Sequence, residues 1–444
     1  METLNASTTR QLNKLIEFRQ MIYDQVLTGV RDAQFELIDA MLVSGHLDCF
    51  AELSLSPVFR RQWSSAYNAL EAGGQAVQRL SQSFIQQVSG QGVQVFPLDT
   101  TVWAHPQART LAGLVYAKSP TKALKHHSIV QGHQYSLLTW TPEPGRSWSL
   151  TLSNQRLKPE QSALEVGVSQ VKELCQARVE RQSQDLDVIV GDGHYGNHLF
   201  FGPLQGLPCA VLARMRRDRV LYGAPEPYRG RGRPTVHGHR FAFKEPDSWP
   251  PPDDLDEFEH PRWGQVRLRR WNKWHAHQDA QVLFDVIVAE VHLEREKPAP
   301  PLWLGYLDGP IAYPLRVVWS WFDYRWPIEP SIRFRKQKLH WTLPRFQDSQ
   351  ECDRWTNLVD LAYWQLFLAR QLVNDQPLPW QKAQTILTPG RVLGQMGAIL
   401  ARIDSPAHPP QTRGKSPGWA KGRPRTRPQR YKVTKRGKPK PKTG

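Results

Sequence analysis

The chain has 444 residues, 40% hydrophobic and 22% charged, enough for two or three domains around a sizeable core. Its formal net charge is +17, but thirteen Lys and Arg and no acid lie between Arg413 and Lys442, leaving only +4 for everything before them. A basic tail attracts phosphate wherever it sits, so any role for the folded part must be argued residue by residue.

Cys49, Cys175, Cys209 and Cys352 are far apart and form no Cys-x-x-Cys pair, which excludes a zinc ribbon and a secreted disulfide framework and points to a reducing intracellular compartment. The polar and then amphipathic N-terminus does not read as a signal peptide. The best apolar run, Val282 to Val291, is interrupted by Asp285 and Glu290, so no membrane association is expected.

In chain order, residues 1–90 read as a helical domain. Leu12, Leu15, Ile16, Phe18, Ile22 and Val26, then Phe35, Leu37, Ile38, Met41 and Leu42, approximate a 3.6-residue period. Gly45 closes a helix and Ser56-Pro57 opens another. The texture changes at Val93, where a strand runs into Leu98-Asp99. Short strands follow at Leu114 to Ala117, Tyr135 to Trp140 and Trp148 to Leu152, then a helix over Gln161 to Gln182. Leu186 to Val190 reads as a mostly buried strand ending in Gly191-Asp192-Gly193, and Cys209 to Leu212 as a second. Strands, helix and buried strand make an α/β layer pattern over residues 91–214.

Residues 215–300, rich in Pro, Gly, His, Arg and Trp, read as a β-rich insertion with strands at Val266 to Trp271 and Val282 to Val291. Residues 301–375 resume the α/β pattern, with a helix from Pro314 to Tyr324, another near Pro327 and a long one opened by the capping box Asp348-Ser-Gln-Glu351. Residues 376–444 hold one short helix at Thr388-Pro389 and a basic tail with too few apolar residues to fold alone.

Two carboxylates, Asp99 and Asp192, end two strands, and functional groups collect at the carboxyl ends of strands in open α/β sheets. Glu329 arrives at a helix start among Arg325, Arg333, Arg335 and Lys336, with Glu329, Arg333 and Lys336 spaced to share one face. Three hard oxygen donors suit Mg²⁺ or Mn²⁺. Two such ions about 3.5–4 Å apart activate a nucleophile and stabilise a leaving oxygen in phosphodiester cleavage. The plainer alternatives are Asp residues that cap turns and a Glu329 that only pairs with Arg325 or Lys336.

The order Asp99, Asp192, then Phe322-x2-Arg325-x3-Glu329-x6-Lys336 resembles the DDE transposases of bacterial insertion sequences, whose last acid lies in a Tyr-x2-Arg-x3-Glu-x6-Lys signature. Phe322 departs from that signature. The turn Asp192-Gly-His-Tyr195-Gly196 is similar to the Asp-x-x-Tyr-Gly of relatives. The resemblance implies an RNase H-like catalytic core with a β-rich insertion before the last acid. It also implies two divalent metals held by Asp99, Asp192 and Glu329, and phosphate held by Arg325 and Lys336. Water would cut the strand at the transposon end and the released 3′-OH would attack target DNA. Double-stranded DNA, both terminal inverted repeats and target, would be bound by a homodimer or higher assembly in the bacterial cytoplasm, at the nucleoid.

Further DNA contacts are expected from Arg333 and from Arg214, Arg216, Arg217 and Arg219, four arginines in six residues that cannot all be buried. Arg231-Gly-Arg233-Pro and Lys421-Gly-Arg423-Pro-Arg resemble AT-hook cores, suited to a narrow minor groove or else simply solvated basic segments. Trp263, Trp271 and Trp274 lie among basic residues, placed to stack a flipped base or to build a small β core. His126-His127 sits in a loop or on phosphate. His194 and His198, following Asp192, offer a rival Asp-His-His metal nuclease site. The other rival is a domesticated DNA-binding protein that keeps the fold without the activity.

Overall fold

The structure is a computed structural model that describes residues 6–88, 91–118, 129–180, 186–228, 230, 232–292, 300–411, 418, 422, 424 and 427–435. Arg231, Arg423 and the His126-His127 pair lie outside the described residues.

The chain opens with four helices, α1 (Ala6–Met21), α2 (Arg31–Val43), α3 (Trp63–Glu71) and α4 (Val77–Gln87). No helix opens at Ser56-Pro57: a 3₁₀ turn over Phe50–Leu55 ends there, and α3 begins at Trp63. A Pro fits a first helical turn, but here the chain stays extended at Ser56 and folds Phe59 into the core instead.

Twelve strands then build one mixed sheet. They are β1 (Gln94–Ala104), β2 (Val115–Lys118), β3 (Ile129–Trp140), β4 (Leu150–Arg156), β5 (Asp187–Gly191), β6 (Cys209–Arg214), β7 (Val220–Tyr222), β8 (Arg240–Ala242), β9 (Asp254–His260), β10 (Gly264–Ala276), β11 (Asp279–His292) and β12 (Leu302–Leu307). The path across the sheet is β8-β7-β10-β11-β12-β6-β5-β1-β3-β2, with β9 on β10 and β4 on β3. Only β1, β5 and β6 are mutually parallel. The strands of residues 215–300 continue this sheet, because β11 pairs with β12 and β12 with β6.

Burial follows from that order. β5 lies between two parallel neighbours and is buried along its whole length, as its apolar Val188-Ile189-Val190 requires. Its polar Asp187 is held by Arg178 of α5 (Ala163–Glu180) across 2.9 Å, which fastens α5 to the sheet. Ser162 and Glu165 cap the start of α5 reciprocally, backbone N–H to side-chain oxygen in both directions. After β12 come α7 (Leu315–Ser320, with the four-residue α6, His198–Phe201, earlier in the chain), a 3₁₀ turn over Trp321–Arg325, α8 (Ile328–Lys338) and α9 (Ser349–Ala369).

Asp348 caps α9 by accepting from the Gln350 N–H, so the carboxylate expected to open this helix does so. From Trp355 to Ala369 every residue of α9 is buried, since α1, α2 and β4 surround it. Arg19 of α1 reaches both Asp39 and Gln365 at 2.6 Å, so the N-terminal helices and α9 share one core. Part of the basic tail is seated as well. Thr434 bridges Val115 in parallel, and the Tyr431 N–H donates to Arg109 O at 2.9 Å, occupying the free edge of β2.

Candidate active site

β1 runs through the core with Val95, Phe96 and Leu98 buried, then emerges at Asp99. Parallel pairing sets Leu98 opposite Gly191, so the residues that follow, Asp99 within β1 and Asp192 just past the end of β5, lie side by side. On the next strand Gly191 faces Ala213, which puts Arg214 beside Asp192. Two acids and one exposed arginine therefore lie side by side where the parallel pairing of the three strands stops; this corrects the expectation that Asp99 ends its strand, because β1 runs on to Ala104 paired with β3.

The turn after Asp192 is tight. Asp192 Oδ1 accepts from the His194 N–H at 2.9 Å. A Cβ on Gly196 would meet the Arg214 carbonyl oxygen at 2.1 Å, so only glycine lets the turn pass this close to β6. Tyr195 folds back beneath Gly191, fully buried, and burial with the nearby Asp99 and Asp192 charges pushes its phenol well up.

Glu329 comes from the first turn of α8, where the helix dipole favours a carboxylate. Arg325, at the end of the preceding 3₁₀ turn, joins the parts. One guanidinium nitrogen donates to Glu329 Oε1 and the other to Asp99 Oδ2, each at 3.1 Å. Asp99 also accepts from the Thr100 N–H at 2.7 Å. Burial pushes the Asp99 carboxyl up to about 6; Arg325 opposes the shift, and the Asp192 and Glu329 charges add to it. Among the described residues, the carboxylate oxygens of the three acids do not all lie within 4.8 Å of one another, and Arg325 stands between Asp99 and Glu329.

The four cations around Glu329 part company. Arg333 is exposed. Lys336 does not share its face: its Nζ donates to Thr101 Oγ1 at 2.8 Å and Val102 O at 2.7 Å, pinning α8 to β1 just past Asp99. Burial, with Arg335 nearby, pulls the Lys336 ammonium down to about 8. Arg335 belongs to the core, wholly buried on Asp360 at 2.6 Å. Phe322 packs with Tyr324 against an apolar cluster that includes Val188, Tyr306 and Trp319, so the aromatic ring there serves packing and brings no hydroxyl to the acids.

Other expected contacts sort by exposure. Arg214, Arg216 and Arg217 are exposed, Arg216 beside Asp218 at 3.5 Å, while Arg219 is partly covered. Arg233 is exposed. Trp271 is 1% exposed, donates its indole N–H to Pro250 O and packs against Phe241 and Trp303, so no face is open for a base. That corrects its expected DNA contact: β10 is an interior strand of the extended sheet, and its apolar face is spent on the core. Trp274 is also buried; Trp263 is half-buried, with Arg262 over its ring at 4.7 Å. Asp192, His194 and His198 do not converge as a metal group, His194 being exposed and His198 half-buried on the following turn. The bridging of Asp99 by Arg325 and the anchoring of Lys336 had no signal in the sequence, because both partners lie more than 200 residues away on β1.

The mixed α/β fold is consistent with comparison to known proteins. The chain belongs to the DDE superfamily endonucleases, whose family model matches residues 23–274, a span that includes Asp99 and Asp192 and stops before Glu329. No curated protein matches it. The family makes it a nuclease-type enzyme with DNA as substrate, and such nucleases generally use divalent metals. The residues suit such an ion in kind, as hard carboxylate donors: Asp99 and Asp192 are neighbours across the parallel pair, Arg325 links Asp99 to Glu329, and burial is the main cause of the raised Asp99 carboxyl. Among the described residues, no helix is long and apolar enough to cross a membrane.

Proposed function

We propose that this protein is a DDE transposase that cleaves DNA strands at transposon ends and joins the freed 3′-OH to target DNA. The observation that carries this reading is the side-by-side emergence of Asp99 and Asp192 from parallel strands, with Glu329 tied to Asp99 through Arg325. An antiparallel meander (β1, β3, β4) feeding α5 and then two strands parallel to β1 supports an RNase H-like core.

Asp99, Asp192 and Glu329 would hold Mg²⁺ or Mn²⁺, two ions per site, supplying Lewis acidity to the attacking and leaving oxygens. The chain's own residues prepare that chemistry. The Thr100 and His194 N–H groups orient the two Asp side chains. Arg325 offsets their repulsion before DNA and cation arrive, and is then available to phosphate as a bidentate fork. Arg214, at the same strand end, and Arg333, exposed on α8, line the approach for the scissile backbone. Lys336 holds α8, and with it Glu329, at a fixed height over β1.

The test is an assay with Mg²⁺ and a duplex carrying the element's inverted repeats. Asp99→Ala, Asp192→Ala and Glu329→Ala should each abolish cleavage and strand transfer while leaving DNA binding in place. Full activity in any of the three removes that residue from the site, and cleavage without joining reduces the protein to an endonuclease.

A further inference from the structure

Away from the acid edge, one buried cluster has no part in the proposed chemistry. His105 directly follows β1, His133 lies on β3 opposite Trp103, and Cys352 is in the first turn of α9. All three are buried, His105 at 6% exposure and the other two at 0%. One ligand atom from each comes within 4.8 Å of the other two.

The hydrogen bonding leaves the imidazoles ready to ligate. His133 Nε2 lies 2.8 Å from Ala112 O, and a carbonyl only accepts, so Nε2 carries the proton and Nδ1 presents its lone pair. That Nδ1 has no protein partner, nor has His105 Nε2, and both are buried. Unpaired buried nitrogens are costly, and two in one place beside a thiol need an account. An imidazole whose far N–H is held by a backbone carbonyl is the usual outer arrangement of a metal-binding histidine. Arg156, a cation near His133, is already held by two bonds to Asp353 at 2.9 Å. His105 also lines a cleft of about 850 Å³ shared with Trp103, Pro344 and Arg430, which gives a path from solvent.

We propose that His105, His133 and Cys352 form a second metal site, for a Zn²⁺-class cation held by two imidazoles and one thiolate. Binding would displace the thiol proton to solvent and form the sulfur–metal bond, with water from the cleft in the fourth position. The soft donor set separates it from the all-oxygen acids, which favour Mg²⁺ or Mn²⁺. It would staple the end of β1 and the middle of β3 to the start of α9. Its role is structural, and it stands whether or not the chain transposes.

Co²⁺ titration of the metal-stripped full-length protein tests it, because only thiolate coordination gives an intense near-ultraviolet sulfur-to-cobalt band. The band should appear, saturate at equimolar cobalt, and be displaced by Zn²⁺. It should vanish in Cys352→Ser and in His133→Gln, and survive in Cys175→Ser, which removes a different buried thiol. Zn²⁺ should raise the thermal midpoint of the wild type and not that of Cys352→Ser. No band in the wild type, or a band that persists in Cys352→Ser, overturns the site. Because the wild-type spectrum needs no substitution, an unfolded variant does not shelter the proposal.

Discussion

Lys336 shows how a residue's environment can override its charge. Its ammonium, ordinarily near 10.5, is pulled down to about 8 by burial, with Arg335 adding to the shift. The folded state therefore binds fewer protons than the unfolded state between pH 8 and 10.5. Below pH 8 both states are protonated and the fold carries the whole cost of the buried charge. As pH rises through this window that cost is relieved, the reverse of the behaviour of a lysine stabilised by a partner. Urea denaturation of wild type and Lys336→Met should show wild type gaining relative stability from pH 8 to 10.5, and a constant difference below pH 8. A difference that is flat across the window would mean that the amine is solvated. The spacing of Lys336 from Glu329 was legible in the sequence, but its direction was not: a seven-residue step places two side chains on one helical stripe, and only the proximity of β1 turned one inward.

Elements were read best where a single physical cause governed them. The buried run of β5, the Asp348 cap and Asp192 just past a strand end follow from local chemistry, and all appear in place, whereas Asp99 does not end its strand, because pairing with β3 carries β1 on to Ala104. Arg335 is the counter-example: in a basic run it reads as surface, yet it is a core residue because α8 is clamped between β4 and α9. There it donates to Asp360, whose oxygens also accept from Thr151 and Asn154. Removing one partner strands a buried charge, so Asp360→Ala should cost roughly 3–5 kcal/mol in chemical denaturation. Replacing both, as Arg335→Met with Asp360→Leu, should recover most of the loss; no recovery would assign the cost to lost packing and not to the charge. At the tight turn, Gly196→Ala sets a methyl against the Arg214 carbonyl. It should move Asp192 and lower the cleavage rate at least tenfold, with DNA affinity nearly unchanged. Equal activity would show that the turn can shift without cost.

At the scale of the whole molecule, charge and catalysis are separated along the chain. The acid edge is built from residues 99 to 329, whereas the cations from Arg413 onward account for thirteen of the net +17. Composition alone revealed that asymmetry, but not that the tail segment at Tyr431 and Thr434 lies along the edge of β2, because main-chain pairing leaves no trace in residue types. Seating this segment brings Arg430 into the cleft beside His105 and keeps neighbouring cations close to the folded body instead of on a free tether. Each phosphate that such cations neutralise contributes about 0.9 to the slope of log K against log salt. Deleting residues 412–444 should therefore weaken binding to duplex DNA of any sequence and make the salt slope shallower by several units. The metal-dependent cleavage rate at saturating DNA should remain within a few-fold. Titrations at several salt concentrations, paired with single-turnover cleavage, separate the two effects. An unchanged slope would place the DNA path on the arginines of the sheet edge alone, and a collapse of the saturated rate would make the seated segment part of the architecture that holds β2 and β3 beneath Asp99.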